Sequence, residues 1–118
     1  MKYSIDHALL ILSPGSQWSL TGNQYSGITW VSGTKPTEAE VGAKIIELDT
    51  AEPMRLLRIE RDKRLAACDW RASSDLTISN AWKTYRQALR DLPASATPKL
   101  DSYYELDLTS VTWPTEPS

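Results

Sequence analysis

Residues 53–70 place apolar side chains on two opposite sides of one helix, and this is the tightest constraint the sequence sets. At about 100° per residue, Met54, Leu57, Leu65 and Cys68 gather on one side, and Leu56, Ile59, Ala66, Ala67 and Trp70 gather nearly opposite. Charged residues fill the flanks: Arg55, Arg58, Asp62 and Asp69 on one, and the i,i+4 pair Glu60 and Arg64 on the other. A helix apolar on two faces must be covered twice. One face packs on a neighbouring helix. The second calls for the N-terminal subdomain, another subunit or a foreign partner.

The neighbour follows a short connection, residues 71–78. Ser79 is a suitable N-cap for a helix on which Ala81, Trp82, Tyr85, Ala88, Leu89 and Leu92 share a face, with Lys83, Arg86, Gln87, Arg90 and Asp91 opposite or at its margin. Pro93 is expected to end it. The short loop predicts an antiparallel helical hairpin.

Upstream, residues 5–12 form a short apolar run, helical or extended, stopped by Pro14 and Gly15. Alternation then predicts a β-hairpin, with Trp18 and Leu20 before the turn Thr21-Gly22-Asn23-Gln24 and Tyr25, Ile28, Trp30 and Val31 after it. Thr37 and Glu40 form a capping box for an amphipathic helix bearing Val41, Ile45, Ile46 and Leu48 on its apolar side. Pro53 lacks an N–H and disfavours helical geometry at Glu52, so a kink or a new helix start is expected there. The C-terminal stretch holds three of the seven prolines, alternates at Tyr104, Leu106 and Leu108 as one candidate strand, and finishes as an extended tail anchored by Trp113. The predicted fold is α+β: an N-terminal β-hairpin subdomain over 1–52, a helical hairpin over 53–93 and an extended C-terminal tail over 94–118.

Composition narrows the function. At 118 residues the chain holds one domain's worth of core. Its net charge of −2 offers no field for nucleic acid or an anionic membrane. Nine Lys and Arg against five Asp and Glu make 53–93 basic, between acidic blocks with three against six over 1–52 and one against four over 94–118. Either the acidic ends fold back on the basic middle, or the basic block is a partner-binding face. Glu60 and Asp62 interrupt the basic helix, which argues against a phosphate-binding face.

One Cys and one His leave neither a disulfide nor a metal site, and a reducing compartment fits. Cys68 lies on an apolar stripe as a packed thiol, not a nucleophile, and the scattered glycines form no phosphate loop. No catalytic residue, cofactor or metal is expected. Five Trp and five Tyr with no Phe make every aromatic ring amphipathic, the kind that suits an interface.

Three motifs in order carry a resemblance: residues 58–70, an Arg-rich helix ending in Asp69-Trp70; residues 82–93, Trp-x-x-Tyr-Arg-Gln-x-Leu-Arg-Asp-Leu-Pro; and the terminus containing Trp113-Pro114. Over residues 55–117 the chain resembles the tail fibre assembly proteins, or tail assembly chaperones, of tailed bacteriophages. It departs from many of them in the compact connection after Trp70. The resemblance implies a non-enzymatic protein, working in the host cytoplasm, that binds the C-terminal region of a tail fibre and assists its folding and trimerisation. In some relatives the protein stays at the fibre tip, so the alternative is a structural, adhesin-like component of the virion tail. Carried over as partner contacts are Asp69, Trp70, Trp82, Tyr85, Arg86, Leu89, Arg90, Trp113 and Pro114, joined by Leu56 and Ile59 from the second helix face. Helical spacing also suits Trp82, Tyr85 and Leu89 as hairpin core, and Asp69 as an ion-pair partner of Arg86 or Arg90. Trp70 and Trp113 are expected to lack partners within the chain. Self-association through the second face is the remaining use for it.

Overall fold

The computed structural model describes residues 2–73 and 76–117. Five elements follow one another: α1 (Ile5–Leu12), β1 (Gln17–Leu20), β2 (Ile28–Ser32), α2 (Glu38–Ala67) and α3 (Asn80–Ser95). The fold is α+β, with one two-stranded antiparallel sheet and a helical hairpin. The chain divides into two compact units, Met1–Glu52 and Pro53–Ser118.

In the first unit the apolar run of residues 5–12 is a helix. Register pairs Trp18 with Trp30 and Leu20 with Ile28, with an irregularity beside Gln17. The same face of both strands therefore carries the large apolar side chains. Ile28 joins Ile5, Ala8, Leu9 and Val41 in a buried cluster, with Trp18, Leu20, Trp30 and Ile45 packed around it. Tyr25 lies in a 3-10 turn, Tyr25–Gly27, and not in a strand. Its hydroxyl donates to the Pro36 carbonyl at 2.6 Å. Gly22, at φ 80°, supplies the left-handed residue the turn needs.

The capping box starts α2 as the spacing predicts. Glu40 N–H donates to Thr37 Oγ1 at 3.1 Å, and Thr37 N–H donates to Glu40 Oε1 at 3.2 Å. Ile46 does not share the apolar side: it is exposed, while Val41 is buried. Near the other end of the unit, Asp49 Oδ1 accepts from the backbone N–H groups of Lys2 and Tyr3, both at 3.0 Å. Glu52, buried, takes the Lys2 ammonium and, at 2.7 Å, the Tyr3 hydroxyl.

Pro53 neither ends nor restarts the helix, for α2 runs through it from Glu38 to Ala67. The cost is one lost hydrogen bond and a ring clash, about 3 kcal/mol. Strong helix formers on either side and the buried positions Val41 and Leu57 on the same helix oppose it. Pro93 likewise fails to stop α3, which continues to Ser95 and closes with Ala96 N–H donating to the Leu92 carbonyl at 3.0 Å. Leu92, buried one residue before the proline, holds that last turn on the core.

In the second unit the residues of α2 beyond Pro53 pack against α3. Leu57 meets Leu92, and Cys68 and Leu65 meet Trp82, Tyr85 and Leu89, so early positions of one helix face late positions of the other. The hairpin is therefore antiparallel. Ser79 caps α3 by accepting from Trp82 N–H at 3.3 Å. The expected strand through Tyr104, Leu106 and Leu108 does not form. Asp101 Oδ1 accepts from the N–H groups of Tyr103 and Glu105, at 2.8 and 3.0 Å, and builds a turn with Tyr104 at φ 60°. Only an isolated bridge joins Leu100 to Leu106. Asp107 then caps the 3-10 turn Leu108–Ser110. Short acidic side chains that bond their own backbone outcompete the ladder here. Residues 111–117 have no regular structure, yet Val111 is buried and Trp113 packs on both hairpin clusters.

Candidate partner-binding surface

α2 ends at Ala67, one residue before the buried thiol of Cys68, and a 3-10 turn, Asp69–Ala72, follows. That turn carries Trp70 outward. Of the two apolar faces in the sequence, Leu57 and Cys68 are buried against α3, whereas Ile59 is 52% exposed and Trp70 58%. Ala66 and Ala67 are exposed as well, and Leu56 is half-buried. The second face is thus left largely uncovered within its own unit.

Beside it stands a layered stack. The Arg71 guanidinium lies 4.4 Å from the Trp70 ring centre and 3.9 Å from that of Trp82. Each such contact is worth about 0.5 to 2 kcal/mol, more as water is excluded. Trp82 in turn meets Tyr85 edge-on at 5.5 Å. Nothing local in the sequence distinguishes Arg71; only the hairpin brings Trp82 against it.

Arg86 was placed at the polar margin of α3, but the structure buries it. Its guanidinium donates to the Leu65 carbonyl at 3.1 Å, to Cys68 Sγ at 3.0 Å and to Asp69 Oδ1 at 2.8 Å. The hydrogen bond to Asp69 leads in holding the Arg86 proton more tightly than usual, against the cost of burial. A buried charge survives when its donors are satisfied in this way. Arg86, and not Arg90, pairs with Asp69 across the hairpin; Arg90 is exposed.

Trp82, Tyr85 and Leu89 are buried in the hairpin core. Burial, followed by the charge of Glu116, raises the Tyr85 hydroxyl above its ordinary value, so the ring keeps its O–H. Trp113 is not without partners. Its indole N–H donates to the Leu108 carbonyl at 3.2 Å, and the Arg64 guanidinium sits 4.1 Å over the ring while also pairing with Glu60 at 3.1 Å. Pro114 is half-buried beside it.

These residues border a groove of about 410 Å³, lined by Arg64, Ala67, Trp70, Arg71, Tyr85 and Glu116 among others. A second groove of about 610 Å³ shares Tyr85 and Glu116 and runs between α3 and residues 114–117. A third, of about 270 Å³, lies against Trp70, Arg71 and Trp82 and reaches Leu76 and Ile78. Chemically the surface offers aromatic faces, two guanidinium groups and open clefts suited to an extended peptide. Among the described residues no group of three or more His, Cys, Asp or Glu is placed to hold a metal ion.

Residues 54–118 match the family described as phage tail assembly chaperone protein. No curated protein and no solved structure matches the chain. The matched segment takes in the whole helical hairpin with the Trp70–Arg71–Trp82 stack and amounts to more than half of the chain, so the protein belongs to the phage tail assembly chaperone family.

Proposed function

We propose that this protein, a member of a family that serves tail assembly, acts by binding the C-terminal region of a tail fibre and assisting its folding and trimerisation. The observation that carries the reading is the uncovered second face of α2. Its first face is filled by α3, and Ile59 and Trp70 remain more than half exposed. Apolar surface of this kind marks an interaction site.

Fibres are intertwined β-rich trimers whose pairing is non-local and slow, and their unpaired strand edges invite aggregation meanwhile. A small protein that covers the nascent tip suppresses the wrong associations. Trp, Tyr and Arg, gathered around Trp70, are the residue types that concentrate binding energy at interfaces. The role is non-enzymatic and set in the host cytoplasm during assembly; among the described residues no helix is long and apolar enough to cross a membrane.

Trp70→Ala combined with Ile59→Asp is expected to abolish co-purification of the co-expressed fibre while the circular dichroism of the isolated protein stays helical. Fibre that still co-purifies with this variant would assign the second face to another role. A wild-type chain found in purified particles at fibre stoichiometry would favour a structural tip component over a transient chaperone.

A further inference from the structure

We infer that Arg71 is the charged anchor of the partner-binding surface and takes an Asp or Glu side chain from an extended segment of the tail fibre, an inference that rests on the proposed function. Its guanidinium lies over two indole rings, those of Trp70 and Trp82. Among the described residues, Arg61 pairs with Asp62, Arg64 with Glu60 and Arg86 with Asp69, while Arg71 forms no ion pair and no side-chain hydrogen bond. Among the described residues its side-chain N–H donors are therefore uncommitted. Contact with two rings orders the side chain before any partner arrives.

An arginine held this way suits a carboxylate. The planar fork matches the two oxygens bidentately, and a side chain already ordered against two indoles loses little further freedom on binding. Lysine has no such fork. The charge is half-buried, which strengthens the attraction relative to a fully solvated pair.

The clefts indicate how the carboxylate arrives. The 410 Å³ groove and the 270 Å³ groove both border Trp70, Arg71 and Trp82, so a strand of peptide has room to continue past the guanidinium in both directions. An internal acidic side chain fits such a channel better than a chain terminus. The larger groove also shows which chemistry it tolerates, since Glu116, flanked by Pro117, lines it beside Arg64 and Tyr85. Leu76 and Ile78 in the smaller groove supply apolar contact for the residues next to the acid.

The test titrates the full-length chain with the C-terminal region of the tail fibre encoded by the same phage. The fibre is used unaltered and with each Asp or Glu changed singly to Asn or Gln. Arg71→Gln is expected to weaken binding about tenfold or more, and Arg71→Lys to fall between it and the wild type. One fibre acid should reproduce the Arg71→Gln loss, and the two changes together should cost no more than either alone. Wild-type affinity in Arg71→Gln, or a loss in Arg71→Gln that no fibre acid matches, overturns the inference and leaves the proposed function standing. Failure of the wild-type chain to bind the unaltered fibre overturns the proposed function instead. The fibre substitutions leave this chain's fold untouched, so the pairing is read even if Arg71→Gln folds poorly.

Discussion

Replacing Leu89 with alanine is expected to lower the stability of the Pro53–Ser118 unit by about 3 kcal/mol, measured as a drop in the urea midpoint followed by circular dichroism. Leu89 has no exposed surface and sits among Cys68, Trp82 and Tyr85, where the lost side chain leaves a cavity that buried aromatic rings cannot readily collapse to fill. A unit of this size has a total margin of about 5 kcal/mol. The variant should therefore populate unfolded molecules measurably at body temperature. Its fibre binding should fall in proportion to the folded fraction, with the affinity of the folded molecules unchanged. A cost below about 1 kcal/mol would mean that the two helices do not close a common core.

Trp113→Ala should cost about 2 to 3 kcal/mol, less than a fully buried tryptophan because the ring is half-buried. The loss has four parts: contact with the Cys68 cluster, contact with the Leu57 cluster, the Arg64 guanidinium over the ring, and the indole hydrogen bond to the Leu108 carbonyl. By comparison Trp70→Ala should cost only about 0.5 to 1 kcal/mol, since most of that ring faces solvent and an exposed contact with Arg71 is what it loses. Both are read by the same urea series. Equal effects from the two substitutions would contradict their different placement. A clearly larger stability loss at Trp113 separates the tryptophan that holds the C-terminal segment from the one offered to a partner.

Local chemistry was legible in the sequence, and non-local chemistry was not. The Thr37–Glu40 box, the Ser79 cap and the Trp18/Trp30 hairpin all depend on residues close in sequence, and the structure has them. The helix restart at Pro53 and the stop at Pro93 do not occur, because the proline penalty is local while the packing that opposes it is distributed along the helix. Arg86 looked solvent-facing on a helical wheel, yet its partners, Leu65, Cys68 and Asp69, come from the other arm of the hairpin. The same distance hid the cover over Trp113 and the two indoles around Arg71. The exposed second face of α2 was legible, since a helix apolar on two sides with a single helical neighbour leaves one side open.

The thiol of Cys68 is the only one in the chain, and it is closed off between α2 and α3 with the Arg86 guanidinium donating to it. Cys68 is only 5% exposed, at the wall of the 410 Å³ groove, so an alkylating reagent consumes it slowly while the two arms stay packed and faster when they part. The molecule thus carries its own reporter on the hairpin and its groove: the rate at which a thiol reagent consumes Cys68. Slower consumption once fibre is added would register, at one atom, that a client covers the groove or holds the hairpin shut.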